Sequence, residues 1–496
     1  MQRIKALLKR LAACQPLDRI RPDHEGPKLR RVLGVWGLIG IGLGTMLGGI
    51  FPTVGVGIQL AGSGAITAFL VSGVVCVFVA LCYAEFASMV PVAGSAYTYA
   101  YATLGEFIAW VIGWDLILEY GISAAPVASS FSGYLQELFG YFHLAMPTSL
   151  QTAALVSTPW PVSIGWLHFN LAHFDFLHSQ YDVIAALSVI VVSALLAIGI
   201  KESATTNAIF VIVQILSFVV FIAVGLAFMH PSHFAGAAPL GYHSVIASAA
   251  LVFFAYIGFD TVTVASEESK NPQRDVPIAV VGSLIIGALL FVAITAVTIG
   301  IVPLSKIAPD SAMSQAIRLA GNYAIPVITV TIGAIVGNIS VMLTSLLGQS
   351  RIFYVMSRDR MLPPAVSAVH PRFLTPARTT MITGFVVAFL ALIVPLEDLL
   401  KLVNIGTLSA FAIVSIGVAI LRFVAPNAKR PFKAPAGVVI GILGFLLCLY
   451  LIGYGLALPT WIRFIFWFAV GAAIYGFYGY HNSLLHPKNA QPKSPD

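Results

Sequence analysis

The feature that most constrains this chain is a glycine-rich apolar stretch at residues 32–64, with Pro52 just after the glycines. Each glycine costs a helix roughly 1 kcal/mol relative to alanine, and proline costs more. Irregular backbone at membrane depth persists only where protein or a water-filled cavity covers its polar groups. We therefore interpret the stretch as a broken transmembrane helix around a polar solute. The alternative is a helix-packing face, because Gly40, Gly44 and Gly48 have GxxxG spacing.

Composition extends this interpretation to the whole chain. Of its 496 residues, 58% are hydrophobic and only 9% are charged, whereas a soluble domain carries roughly 25% charged residues. Apolar runs of about 20 residues, the length that crosses a bilayer, recur along nearly the whole sequence. These features predict an all-α integral membrane protein with a single membrane domain at residues 32–480.

We predict twelve transmembrane helices. They are expected at 33–58, 63–90, 104–131, 182–200, 205–229, 244–268, 277–303, 325–356, 377–395, 399–422, 435–457 and 460–480. Residues 1–31 would form a basic N-terminal arm and residues 481–496 a polar tail, both in the cytoplasm.

The distribution of positive charge sets the predicted orientation. With the N-terminus inside, 23 of the 27 lysines and arginines lie on the cytoplasmic side, and the long outer loop at 133–181 contains neither residue. This asymmetry is the positive-inside pattern of membrane proteins. It predicts cytoplasmic termini, and it explains the net charge of +7 better than nucleic-acid binding does.

A second interrupted helix is predicted five spans after the first. Gly258 and Asp260 lie at its centre, among several aromatic residues. Interrupted helices at matching positions, first and sixth, are typical of an inverted repeat with its binding site at the repeat interface.

Few polar residues fall inside the predicted spans, and such residues often mark a substrate or ion pathway. Glu119 and Asp260 are the central carboxyl groups, and Gln214 lies in the fifth span. Further candidates are Thr344, Ser345 and Asn404. Each of them has a structural alternative, because it can also satisfy backbone at a kink or hydrogen-bond to a neighbouring helix.

The sequence carries no P-loop, HExxH, GxSxG or CxxC motif, so the expected protein is not an enzyme. We expect no cofactor and no metal site. The expected partners are a small-molecule substrate and the lipid bilayer.

Several segments resemble the amino acid–polyamine–organocation superfamily, and within it the cationic amino acid transporter branch and its bacterial relatives. They are YAEFASMVPVAGSAYTYAYATLGEFIAWVIGWDLILEY (83–120), FFAYIGFDTVTVASEESKNPQRDVP (253–277), GQSRIFYVMSRDRMLP (348–363), LVNIGTLSAFAIVSIGVAILR (402–422) and RPFKAP (430–435). The resemblance implies a five-plus-five inverted repeat, with repeat one at about 33–229, repeat two at about 244–422 and two extra helices at about 435–480.

The resemblance also implies where an amino acid binds. The amides of Gly48, Gly49 and Ile50 would receive its carboxylate, as an anion at a helix N-terminus, and carbonyls in both interrupted helices would receive its ammonium. Phe254 would be the gate that closes over the substrate. The substrate-binding set is Thr45, Met46, Gly48, Gly49, Ile50, Phe254, Ala255, Ile257, Gly258, Glu119 and Leu346.

This chain departs from the family pattern at two places. The run GTMLGGIF (44–51) is one residue shorter than the usual GAMIGAGIF, and Gln214 stands where many bacterial relatives carry a lysine. A glutamine cannot titrate, so we predict uniport or exchange. The alternatives are proton symport through Glu119 and, less favoured, sodium coupling at Thr344 and Ser345.

The predicted function is therefore secondary transport of amino acids across the inner (plasma) membrane by alternating access. The substrate is expected to be a cationic or small neutral amino acid. A membrane enzyme and a sensor that binds amino acids without moving them are the rival classes, but the sequence carries no catalytic cluster or appended signalling domain.

Overall fold

The structure is a computed structural model. It describes residues 31, 33–89, 95–144, 147–164, 167–199, 204–234, 241–321, 323–373 and 375–485. The predicted arm, apart from residue 31, and the end of the predicted tail lie outside the described residues.

The described residues are mostly α-helical. The helices are α1 (Val35–Met46), α2 (Ile50–Ala61), α3 (Ala65–Met89), α4 (Ser95–Thr103), α5 (Glu106–Tyr141), α6 (Val183–Ile198), α7 (Ala204–Ala227), α8 (Tyr242–Val252), α9 (Thr261–Val264), α10 (Pro272–Ile301), α11 (Ala312–Gly321), α12 (Ala324–Arg358), α13 (Ala377–Ile393), α14 (Leu396–Val424), α15 (Gly437–Gly455), α16 (Leu458–Ile474) and α17 (Tyr480–Asn482).

Among the described residues, nine helical segments are long and apolar enough to cross a membrane, and α6 and α13 are shorter apolar helices. One of the nine segments, Val35–Met89, contains α1, α2 and α3. Most helix ends lie within about three residues of the predicted spans. The third span is an exception, because α5 continues ten residues beyond its predicted end to Tyr141. The C-terminal end of α5 therefore extends past the apolar run on which the predicted span was based.

The segment between α5 and α6 adds a β-hairpin to the predicted all-α fold. Strands β1 (Ala154–Ile164) and β2 (Leu167–Gln180) pair antiparallel as a hairpin. A short signal for β2 is present in the sequence, since apolar and polar residues alternate through LHFNL before Ala172 ends the pattern, and alternation with period two favours a strand. The segment lies between two predicted spans, so only a loop is predicted there.

Two short helices between the long ones were also not predicted. Helix α4 lies between the second and third predicted spans, and α11 lies between α10 and α12. In α11, Met313 and Ile317 are buried at a spacing of four residues, so one face of this short helix packs against the protein.

The two predicted interruptions differ in form. Between α1 and α2, Leu47–Gly49 forms one 3-10 turn, and the backbone stays in the right-handed helical region. After α8, Phe253–Tyr256 forms another 3-10 turn, Ile257 is extended, and Gly258 has φ +126°. The first helix is thus tightened at its centre, whereas the sixth is broken.

Both interruptions lie inside the helix packing. Helix α12 packs against α5 and α7, and the first 3-10 turn contacts both α12 and the second 3-10 turn. The ring of Phe51 contacts Tyr134 of α5 and Phe218 of α7 at centroid distances of 5.5 and 5.3 Å. These buried aromatic contacts attach the start of α2 to its neighbours.

Candidate functional site

The two interrupted helices meet at Gly49 and Ala255. A Cβ on Gly49 would lie 2.9 Å from the Ala255 Cα and 3.2 Å from the Phe254 carbonyl oxygen. Backbones approach this closely only where one residue lacks a side chain. Glycine at position 49 therefore allows the centres of the first and sixth helices to touch.

A cavity lies beside this contact. Its volume is about 30 Å³, which is room for a few water molecules. It is lined by Thr45, Gly49, Glu119, Tyr120, Ser123, Phe254, Ile257, Thr261, Val341, Thr344 and Ser345. The first helix, the break in the sixth helix, α5 and α12 therefore enclose one partly polar space.

Hydroxyl groups link the two interrupted helices at this cavity. The hydroxyls of Thr45 and Thr261 are 3.3 Å apart, and Thr261 Oγ1 donates to the Gly258 carbonyl at 2.6 Å. Gly258 packs on the end of α1, since a Cβ there would lie 2.9 Å from the Met46 amide nitrogen. The chain turns sharply at Gly258 and is held there by these contacts.

Glu119 presents a buried carboxyl group to the cavity, beside the Thr407 hydroxyl, which itself donates to the Val403 carbonyl at 3.2 Å. It is 1% exposed, and neither of its oxygens accepts a hydrogen bond within the described residues. Asp115, one turn earlier on α5, is equally buried, and its oxygens also lack a hydrogen-bond partner in the described part. A carboxyl group in such a position either holds a proton or, if it is ionised, needs a nearby cation.

The structure brings together seven of the residues predicted from sequence. The residues that line the cavity are Thr45, Gly49, Glu119, Phe254, Ile257, Thr344 and Ser345. Those that lie outside its lining are Met46, Gly48, Ile50, Ala255, Gly258, Leu346 and Gln214. Ala255 and Gly258 are nevertheless adjacent, because they form the backbone contacts with the first helix described above.

The glycines of the first helix face several neighbours rather than one. A Cβ on Gly44 would meet Asn207 of α7 at 2.7 Å, and one on Gly48 would meet Val341 of α12 at 2.3 Å. Gly40 has no such neighbour within 4 Å. A single GxxxG face, the alternative considered from sequence, does not describe this arrangement, because the three glycines share no partner helix.

Gln214 lies away from the cavity. It is fully buried, and its side-chain carbon is 3.3 Å from where a Cβ on Gly337 would lie. Its amide oxygen and nitrogen have no hydrogen-bond partner among the described residues. In this conformation the Gln214 side chain therefore does not hydrogen-bond to the backbone carbonyls that a lysine at this position would contact.

Four lining residues were missed by sequence reasoning: Tyr120, Ser123, Thr261 and Val341. Helical spacing contained a signal for two of them, because Ser123 is one turn from Glu119 and Val341 is one turn before Thr344 or Ser345. Tyr120 and Thr261 had no comparable signal.

The candidate ion ligands are partly engaged by their own helix. Thr344 Oγ1 donates to the carbonyls of Ser340 and Val341 at 3.0 and 3.1 Å. Within the described ranges, no cluster of three His, Cys, Asp or Glu side chains is arranged to hold a metal ion.

Several known proteins have similar sequences. The amino acid permease family model matches residues 33–475. The branched-chain amino acid permease BcaP of Bacillus subtilis (strain 168) is 41% identical over 471 residues, which cover 95% of this chain and 97% of that protein. The methylthioribose transporter of the same organism is 38% identical over 95% of this chain and 98% of its own.

Eukaryotic relatives match over a smaller share of their length. The vacuolar cationic amino acid transporter 4 of Arabidopsis thaliana is 36% identical over 416 residues, which cover 82% of this chain and 65% of that protein. These relatives are transporters rather than enzymes, and the match extends through both interrupted helices and the cavity. The chain is therefore an integral membrane protein of the amino acid permease family, within the amino acid–polyamine–organocation superfamily.

Proposed function

We propose that this protein is a secondary transporter that moves an amino acid across the plasma membrane by alternating access. The observation that carries the proposal is the contact between Gly49 and Ala255, where two interrupted helices meet beside a buried polar cavity. Interrupted helices at a repeat interface supply backbone groups that bind a zwitterion at membrane depth.

In the proposed topology the chain crosses the membrane twelve times, with both termini in the cytoplasm. The nine long apolar segments, α6 and α13 account for twelve spans when Val35–Met89 is divided after α2. The domain divides into two inverted repeats, at about 33–229 and 244–422, and two additional helices. Support comes from the positions of the two interruptions and from the charge asymmetry of the loops.

The substrate's α-amino and α-carboxylate groups bind the two interruptions in this proposal. The amides around Gly49 and Ile50 receive the carboxylate, and carbonyls near Ile257 receive the ammonium. Phe254, which is 3% exposed and lines the cavity, closes over the ligand. Because the cavity holds only a few waters, the helices around it must separate to admit an amino acid.

Two classes of amino acid, which differ in their side chains, are candidate substrates. A cationic side chain would find a partner in Glu119, whose carboxyl oxygens have none within the described residues. A small neutral side chain would instead pack against Ile257 and Val341. Relatives named for branched-chain and for cationic amino acids are consistent with either class.

For coupling, the first candidate is uniport or exchange, because Gln214 cannot titrate. The second is proton symport through Glu119, and it is favoured by the unpaired carboxyl at the cavity. A buried carboxyl can hold a proton in one step and pair with a cationic partner in another. This alternation couples proton movement to movement of the partner without a lysine. Sodium coupling at Thr344 and Ser345 is the third and least favoured candidate.

Uptake into proteoliposomes tests the proposed function. Purified protein is reconstituted and given labelled leucine, valine, alanine, arginine, lysine or methylthioribose, with empty liposomes as the control. Saturable uptake of at least one amino acid is the expected result. Methylthioribose lacks the α-amino and α-carboxylate groups, so uptake of that compound alone would contradict the proposal.

A further inference from the structure

Asp260 connects the break in the sixth helix to α5. Its Oδ1 accepts a hydrogen bond from the Gly258 amide at 3.2 Å, and its Oδ2 accepts one from the Tyr120 hydroxyl at 3.3 Å. Asp260 is 2% exposed and does not line the cavity, whereas Tyr120 does. One carboxylate therefore joins the broken segment to a cavity wall on another helix.

Both ends of this connection are held in place by packing. The Tyr120 ring lies against α12, where a Cβ on Gly348 would be 2.8 Å from the ring. At the other end, Gly258 has φ +126° and packs against Thr45 and Met46 of α1. The bond thus joins the α5–α12 pair on one side to the two interrupted helices on the other.

The small volume of the cavity indicates what the hydrogen bond between Tyr120 and Asp260 does. A volume of about 30 Å³ is enough for water but not for an amino acid, so α5 and the sixth-helix break separate when substrate enters or leaves. A hydrogen bond that spans the two groups opposes that separation. The Thr45–Thr261 contact has no such effect, because both of its residues lie on the interrupted helices.

We propose that Asp260 is a positioning residue that holds the cavity closed through its bond to Tyr120, and that this bond breaks each time the site opens. The inference rests on the proposed alternating access. Asp260 acts as a hydrogen-bond acceptor here and does not contact the substrate. Its neighbour Glu119 is the carboxyl that faces the cavity.

Cysteine labelling measures opening without requiring transport. Ser345→Cys places a thiol in the cavity lining, in a background where Cys14 is replaced by serine. Cys76, Cys82 and Cys448 are buried, and the same background without Ser345→Cys reports any reaction at those thiols. The probe is a small maleimide, and the readout is its rate of reaction in proteoliposomes.

Tyr120→Phe removes the hydroxyl and keeps the ring against Gly348. We expect labelling to rise about three- to tenfold, the range for losing one ordinary intramolecular hydrogen bond. Tyr97→Phe is the matched control, because Tyr97 also donates to a buried aspartate, Asp359, at 2.9 Å but does not line the cavity. It should leave the rate unchanged.

Two substitutions of Asp260 test whether its effect on opening comes from hydrogen bonding or from its negative charge. Asp260→Asn keeps an acceptor for Gly258 and an NH₂ group that can donate to Tyr120, so its labelling rate should stay near that of the parent. Asp260→Ala should label as fast as Tyr120→Phe. A rate for Asp260→Asn equal to that for alanine, or no change in Tyr120→Phe, overturns the proposal.

The uptake assay distinguishes this result from failure of the proposed function. If Tyr120→Phe labels faster but no amino acid is transported by the parent protein, the bond controls opening and the transport proposal is wrong. If transport is observed and Tyr120→Phe leaves labelling unchanged, the transport proposal stands and the role of Asp260 is refuted.

Discussion

The Cα of Ala255 lies 2.9 Å from the point where a Cβ on Gly49 would stand, so the centres of two helices approach each other through their backbones. This contact places the 3-10 turn of the first helix beside the broken segment of the sixth. Any side chain larger than hydrogen at position 49 would push the two segments apart and change the cavity between them.

Gly49→Leu should therefore abolish uptake while the protein still inserts and folds. Gly40→Leu is the matched control in the same helix, because no heavy atom lies within 4 Å of a Cβ at that position. Initial uptake rates and the amount of protein in the membrane are measured for both. Normal uptake by the Gly49 variant would show that the close contact is not needed for transport.

The aromatic ring at position 254 should be needed to close the site. Phe254→Ala is expected to lower initial uptake by on the order of tenfold to a hundredfold, the cost of poorly positioned reacting or binding groups. Phe254→Tyr and Phe254→Trp keep a ring and should retain more activity. Equal rates for the alanine and tryptophan variants would refute the gate assignment.

Coupling can be tested with imposed gradients at zero membrane potential. If transport is uniport or exchange, an inward proton gradient should barely change initial uptake, and Gln214→Lys should introduce a dependence on pH, because a buried lysine can load and release a proton. Strong uphill accumulation in the unmodified protein would favour the symport alternative.

If such accumulation is seen, Glu119→Gln is the decisive variant. Its amide cannot carry a proton, so accumulation driven by the pH gradient should disappear while exchange of substrate across the membrane continues. Retained accumulation would remove Glu119 from the coupling mechanism and direct attention to Asp115, the neighbouring unpaired carboxyl.

Asp310 should make stability depend on pH. It lies in the loop between α10 and α11, its Cγ would be 2.6 Å from a Cβ on Gly133, and burial raises the pKa of its carboxyl above the ordinary value. The folded state then holds its proton more tightly than the unfolded state. The stabilisation is present at low pH and is lost as pH rises through the raised pKa.

The measured quantity is the melting temperature of the purified protein minus that of Asp310→Asn. This difference should decrease as the pH rises from about 4, the ordinary aspartate pKa. Glu397→Gln, at a half-exposed carboxylate paired with Lys401, is the control for losing a surface negative charge together with its ion pair. A constant difference between the parent and Asp310→Asn across the pH range would contradict the assignment.

The sequence by itself predicted the membrane class, most helix positions and the locations of both interruptions. These properties depend on local composition, because about 20 apolar residues cross a bilayer wherever they occur, and glycine weakens a helix wherever it stands. The hairpin at Ala154–Gln180 has only a short local signal, since apolar and polar residues alternate through the first five residues of β2.

Only the tertiary structure decided which polar residues share the cavity. Glu119, Thr261 and Ser345 line it together, whereas Gln214 faces Gly337. Such groupings depend on how separate helices rotate about their axes when they pack, and one sequence does not record that rotation. The bond between Tyr120 and Asp260 joins residues 140 positions apart. It exists because packing brings α5 beside the sixth-helix break, a contact between distant segments that no local pattern predicts.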